Sequence, residues 1–142
     1  MTDIVLEKHI AAPPSVVYQY LTDSEKWTLW QGVGATIDGA LGGLFTVLMP
    51  NGTTSRGQFV ELEPDRRVVF TWGWVDNPGI PPGSTLVEIS LEERSGETLL
   101  TLTHSSLPET EIPLHSAGWN HYLSRLAAVA GGADPGPDTG VG

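Results

Sequence analysis

The stretch THSSLPETEIPLHSAGWNHYLSRL, residues 103–126, decides the fold. It reads as the end of a strand, a break marked by Pro108, and then a long amphipathic helix starting near Glu109 or Pro113 and ending near Val129. Positions 115, 119, 123, 126 and 130 recur at i, i+4, i+8, i+11 and i+15. His115, Trp119, Leu123, Leu126 and Ala130 therefore share one helix face. Gly118 beside Trp119 is the pattern of a helix lying against a sheet: the glycine lets the backbone approach and the indole fills the space below. With a run of strands before it, this helix predicts an α+β domain in which a curved antiparallel sheet grips one C-terminal helix. Such an architecture tends to enclose a pocket, which suggests a small apolar ligand.

Working outward, residues 98–104 alternate Leu100, Leu102 and His104 against Leu99, Thr101 and Thr103, which is a strand. Arg94-Ser95-Gly96 turns the chain before it, and 85–92 is its partner strand. Residues 67–74 place Val68, Phe70, Trp72 and Trp74 in one phase. The loop 76–83, with three prolines and two glycines, is the candidate lid over a pocket. Residues 56–63 and 44–49 are strands joined through the hairpin signal Pro50-Asn51-Gly52. A short strand is expected near 35–38, within the glycine-rich stretch 32–43. At the start, residues 3–10 alternate as a strand. Pro13 and Pro14 then suit a helix entry. Thr22-Asp23-Ser24 starts a second short helix that carries Trp27 and Trp30 on one face. The order is β, α, α, about six strands, α, and short links between strands imply an antiparallel meander.

The 142 residues fit one domain, with 39% hydrophobic and 17% charged residues. Residues 1–130 form that domain. Residues 131–142, GGADPGPDTGVG, have almost nothing to bury and are expected to be a disordered tail. Cysteine is absent, which excludes disulfides, thiolate metal sites and a cysteine nucleophile. Seventeen acids against seven bases give a formal charge of −10. That balance argues against nucleic acid and against an anionic membrane surface as partners. It serves solubility, or a basic protein partner. The acidic start has no apolar signal region and no apolar run approaches a membrane span, so a cytoplasmic protein is expected.

The chain also resembles a known family. The residues that carry the resemblance are Ala12-Pro13 with Val16-Val17, Trp30, Gly42-Gly43-x-Phe45, Gly57-x-Phe59-x-Glu61-x-x-Pro64, Val69-Phe70-Thr71-Trp72, Thr103-His104, and Gly118-Trp119-x-x-Tyr122-Leu123-x-x-Leu126. They resemble the SRPBCC superfamily (START-like, birch-pollen-allergen-like), and within it the domain related to the activator of the heat-shock-protein-90 ATPase. The resemblance covers residues 3 to about 130. It implies a helix-grip fold: a bent antiparallel sheet of six to seven strands, two short helices, and a long C-terminal helix over the concave face with a pocket between. It also implies lipid or other apolar ligand binding, a cyclase-like activity, or a co-chaperone role in the stress response.

The candidate ligand-binding residues are Phe45, Phe59, Glu61, Phe70, Trp72, His104, His115 and Trp119. The aromatic residues are inward in phase and supply apolar walls. His104 ends an inward run and is either a polar anchor or general base, or a ring bonded to a backbone carbonyl at the strand–helix break. His115 lies at the pocket mouth or is an exposed first-turn histidine. Glu61 alternates with Phe59, and a buried carboxylate there needs a partner. Lys8 shares the inward phase of strand one and either balances Glu61 or an acidic ligand, or snorkels. His9 is exposed, and His115 and His121 point apart, so they are no metal pair. No phosphate-binding glycine motif, nucleophile elbow or zinc motif is present, and no metal or cofactor is expected. Three functions remain: binding of a small hydrophobic ligand without chemistry; a cyclase or hydratase using His104, His115 or Glu61; and an interaction module for a chaperone or other protein.

Overall fold

The computed structural model describes residues 3–140. Seven strands form one antiparallel sheet in the order β1-β7-β6-β5-β4-β3-β2. They are β1 Ile4–Ile10, β2 Gly34–Ile37, β3 Leu44–Leu48, β4 Thr54–Glu63, β5 Arg67–Trp72, β6 Thr85–Arg94 and β7 Glu97–Ser105. The hairpins between β3 and β7 are consecutive, whereas β1 pairs with β7 (Ile4 opposite His104), so the first strand closes the far edge. Two short helices, α1 Pro14–Tyr20 and α2 Ser24–Trp27, fill the link from β1 to β2. Pro14 stands in the first turn of α1, and the Asp23 carboxylate caps α2 by accepting the Lys26 amide proton at 3.0 Å. The sheet is bent, and α3 Ile112–Ala130 crosses its concave face after a single 3-10 turn, Glu109–Glu111. Trp119, Tyr122, Leu123 and Leu126 are its buried residues. The fold is the expected α+β helix grip.

The half of the concave face under α2 is solid. Trp27 and Trp30 stack over the sheet with centroids 4.8 Å apart, and Phe45, Phe59 and Phe70 continue the packing at 4.9–6.0 Å. Trp72 joins this cluster to Trp119 of α3 at 5.1 Å. Gly57 on β4 permits it: a Cβ there would collide with the Thr71 carbonyl oxygen and sit 2.6 Å from a Phe45 ring carbon. Phe45, Phe59 and Phe70 are each fully buried. The expectation that they surround a cavity is therefore corrected: the two tryptophans on and just after α2 occupy that volume.

The expected tail is corrected as well for its described part, 131–140; residues 141 and 142 lie outside the described residues. The segment turns back along α3. Arg125 is half-buried and donates to the carbonyls of Trp30, Pro135 and Gly136 at 2.8–3.2 Å. Asp138 is buried and accepts from the Gly32 amide (2.7 Å), the Tyr122 hydroxyl (3.2 Å) and the Gly140 amide (2.8 Å). Gly32 adopts φ +84°, which suits glycine. The segment has few apolar groups to bury, but its carbonyls and one carboxylate satisfy buried donors elsewhere.

A cleft at the open end of the helix grip

β7 ends its inward face in His104, whose ring is fully buried. The Trp119 indole N–H donates to Nδ1 at 2.9 Å. Nδ1 therefore carries no proton, and Nε2–H donates to Thr85 Oγ1 at 2.8 Å. Thr85 passes its own proton to the Trp72 carbonyl oxygen at 2.7 Å. Every polar side-chain atom in this Trp119–His104–Thr85 relay is engaged. Burial pushes the His104 imidazole down to about 3, and the nearby His115 acts in the same direction. His104 is thus a neutral strut that orients Trp119 against β6 and β5.

One turn earlier on α3, His115 repeats the theme at the surface. Its Nδ1–H donates to the Glu111 carbonyl oxygen at 3.0 Å, which leaves Nε2 to accept the Trp74 indole proton at 3.1 Å. The two imidazoles stand 5.6 Å apart, edge to face. Trp74 meets Trp72 edge-on at 5.4 Å. Two histidines thereby fix two indoles on either side of Trp72. The Trp72 N–H itself has no acceptor among the described residues, although the other four indoles all have one. An unpaired buried donor costs about 1–3 kcal/mol.

These side chains border a cleft of about 910 Å³. One wall is α3, through Leu114, His115, Gly118, Trp119 and Tyr122. The others are the β3–β4 turn at 49–54, the start of the β5–β6 loop at 75–78, and Thr139 and Gly140 of the returning tail. Asn77 stiffens the loop by accepting from the Gly79 and Ile80 amides at 3.0 and 3.3 Å, and Ile80 is buried as its anchor. Gly118 was expected to bring the helix backbone onto the sheet. It does the reverse: a Cβ there would touch nothing within 4 Å, so its missing side chain is open cleft.

The family model described as "Activator of Hsp90 ATPase homolog 1-like protein" matches residues 11–131. The chain belongs to that family. An AHSA1-like protein from Rhizobium etli is 46% identical, with a TM-score of 0.77, over 99% of this chain and 89% of that one. The Aha1 dimer from Colwellia psychrerythraea (22% identity, TM-score 0.82, 94% of this chain and 100% of that one) shares the fold. So does DynU16, a putative protein in the dynemicin biosynthetic locus (23%, TM-score 0.83, 96% of this chain). The chain spans about half the length of DynU16. None of the curated proteins matches. Membership places the chain in the SRPBCC superfamily, as the resemblance implied.

Of the residues expected to form the site, this AHSA1-like domain brings Trp72, His115 and Trp119 to the cleft and holds His104 directly behind them. Phe45, Phe59 and Phe70 lie in the filled half. Glu61 is on the opposite face of the sheet. A β-bulge between Phe59 and Glu61 reverses the side-chain phase of β4, so Leu62 takes the inward place and Glu61 accepts from Arg67 Nε at 2.6 Å on the convex side. Lys8 reaches across to Ser124 of α3 at 3.2 Å, and His9 pairs with Glu97 at 2.8 Å on the surface. Asp76 and Asn77 belong to the loop expected as a lid, and among the cleft residues that sequence reasoning missed are Trp74, Glu111 and Tyr122. Trp74 had a signal, since it shares the phase of Trp72; Glu111 and Tyr122 follow from the seat of α3 on the sheet. Among the described residues, no group of three or more His, Asp or Glu side chains is placed to hold a metal ion. No helix among them is long and apolar enough to cross a membrane.

Proposed function

We propose that this AHSA1-like domain binds a small, flat, largely apolar molecule in the cleft between the N-terminal half of α3 and the β3–β4 and β5–β6 connections. The observation that carries this reading is Gly118. A glycine in the middle of a helix weakens it by about 0.5–1 kcal/mol relative to a residue such as leucine. Here it relieves no clash; its only structural effect is to open space between Leu114, His115, Trp119 and Tyr122. The unpaired Trp72 N–H and the two histidine-fixed indoles support the same reading, since aromatic walls of set orientation are what a flat ligand needs. Binding without chemistry is favoured because both imidazoles are occupied by hydrogen bonds in their neutral forms.

The test is titration with acridine, sterols and aromatic polyketides, read by quenching of tryptophan fluorescence. Quenching that saturates is expected for at least one. Gly118→Leu should fold at least as stably as the parent and lose that binding, because the side chain fills the cleft from an otherwise favourable helix position. Undiminished binding in Gly118→Leu would move the site elsewhere. A second reading, a protein-interaction module of the kind the family description suggests, is favoured by the filled half of the interior. It takes first place if no small molecule in the panel quenches.

A further inference from the structure

Resting on the reading of the cleft as a ligand site, we infer that it selects an organic cation, an amine or ammonium group on a flat apolar body, over neutral and anionic molecules of the same shape. The charged side chains on its wall are Asp76 and Glu111; no lysine or arginine is among the described lining residues. Neither carboxylate pairs with a base or accepts a side-chain hydrogen bond among the described residues. The ion pairs among the described residues engage Glu61, Glu88, Glu92 and Glu97 instead. Asp76 and Glu111 also come from separate elements, one from the loop after β5 and the other from the turn that leads into α3.

The lining also includes Trp72, Trp74, Trp119 and Tyr122, of which Trp74 is half-buried and the other three are buried with only an edge reaching the cleft. A cation over an indole or phenol face gains about 0.5–2 kcal/mol, the larger value when it is partly desolvated. A carboxylate in the same place would meet two like charges and no lysine or arginine among the described lining residues. Long-range charge works the same way. The chain carries a formal −10, and the resulting field draws cations toward the surface and turns anions away. Fatty acids, a natural guess for an apolar pocket, are disfavoured on each of these grounds. His115 contributes no compensating charge in the geometry seen, because its Nε2 is an acceptor for Trp74.

Three tricyclic probes of nearly one size separate the possibilities at pH 8: 9-aminoacridine as the cation, acridine as the neutral form and anthracene-9-carboxylate as the anion. The cation should bind about tenfold more tightly than acridine, which corresponds to the upper range of the cation–aromatic gain. The anion should be weakest, and the gap should narrow as salt is raised from ~0.01 to ~0.15 M. The double variant Asp76→Asn, Glu111→Gln should bring the cation down to the affinity of acridine. Asparagine is chosen because residue 76 has φ +64°, a conformation asparagine adopts at least as readily as aspartate. Acridine or the carboxylate binding as tightly as the cation would overturn the charge preference while leaving the cleft as a ligand site. Cation binding that survives Gly118→Leu unchanged would assign it to the acidic surface rather than the cleft and so overturn the inference. If none of the three binds, the ligand reading falls and this inference with it.

Discussion

His104 holds Trp119 with one ring nitrogen and Thr85 with the other, and the bond that Nδ1 accepts from Trp119 requires the neutral ring. In the unfolded chain the same imidazole takes up a proton below about pH 6.5. Its folded-state value, depressed to about 3, means that the stability it supports is fully present above pH 6.5 and is lost as pH falls toward 3. By linkage the loss at pH 5 is about 2 kcal/mol. Urea unfolding at pH 7.5 and 5.0 should show it, and His104→Gln should remove most of the difference. A His104→Gln variant with the same pH dependence as the parent would contradict the buried neutral ring. The inward phase of His104 could be read from its alternation with Leu100 and Leu102. Its partners could not, because Thr85 and Trp119 stand 19 and 15 residues away and only the register of β6 and the seat of α3 bring them to it. Glu61 failed for a related reason: the run through Phe59 alternates perfectly on paper, and the bulge that flips it belongs to the pairing with β5.

At the scale of elements, α3 does two jobs along its length. Its first half, from Leu114 to Trp119, borders the cleft, and its second half, through Leu123 and Leu126, is buried. Between and beside them, Tyr122 and Arg125 bind the returning chain. Burial raises the Tyr122 phenol well above its ordinary value, and the hydrogen bond to Asp138 adds to the rise. The segment after Gly131 is thus joined to the domain by polar bonds whose loss leaves buried donors unpaired. Asp138→Ala should lower stability by about 1–3 kcal/mol, since it strands the Gly32 amide and the Tyr122 hydroxyl together. Tyr122→Phe, which removes one bond and leaves Asp138 its two amide donors, should cost about 1 kcal/mol. Thermal melts of the two variants check the ranking; no change in either would restore the expectation of a tail without contacts. Composition pointed the other way because it registers apolar content, while this segment is held by a carboxylate and by carbonyls.

For the whole molecule, the strand count, the order of elements and the helix over the concave face were legible from periodicity and turn residues. The division of the interior into a solid half and an open half was not. That division depends on how Trp27 and Trp30 settle over β3 to β5, a matter of tertiary packing. Net charge acts on the same scale. At pH 7.5 the excess of acids repels itself, so the Tm should rise between ~0.01 and ~0.15 M salt. Near the isoelectric point, about 4.6, that salt effect should vanish while the loss caused by His104 persists. A salt dependence as large at pH 4.6 as at 7.5 would show that specific pairs, not overall repulsion, control it. The returning chain end has a consequence of another kind. Because Thr139 forms part of the cleft rim yet belongs to no strand or helix, a library randomised at that position can retune what the cleft accepts while every residue of the sheet and of α3 stays as it is.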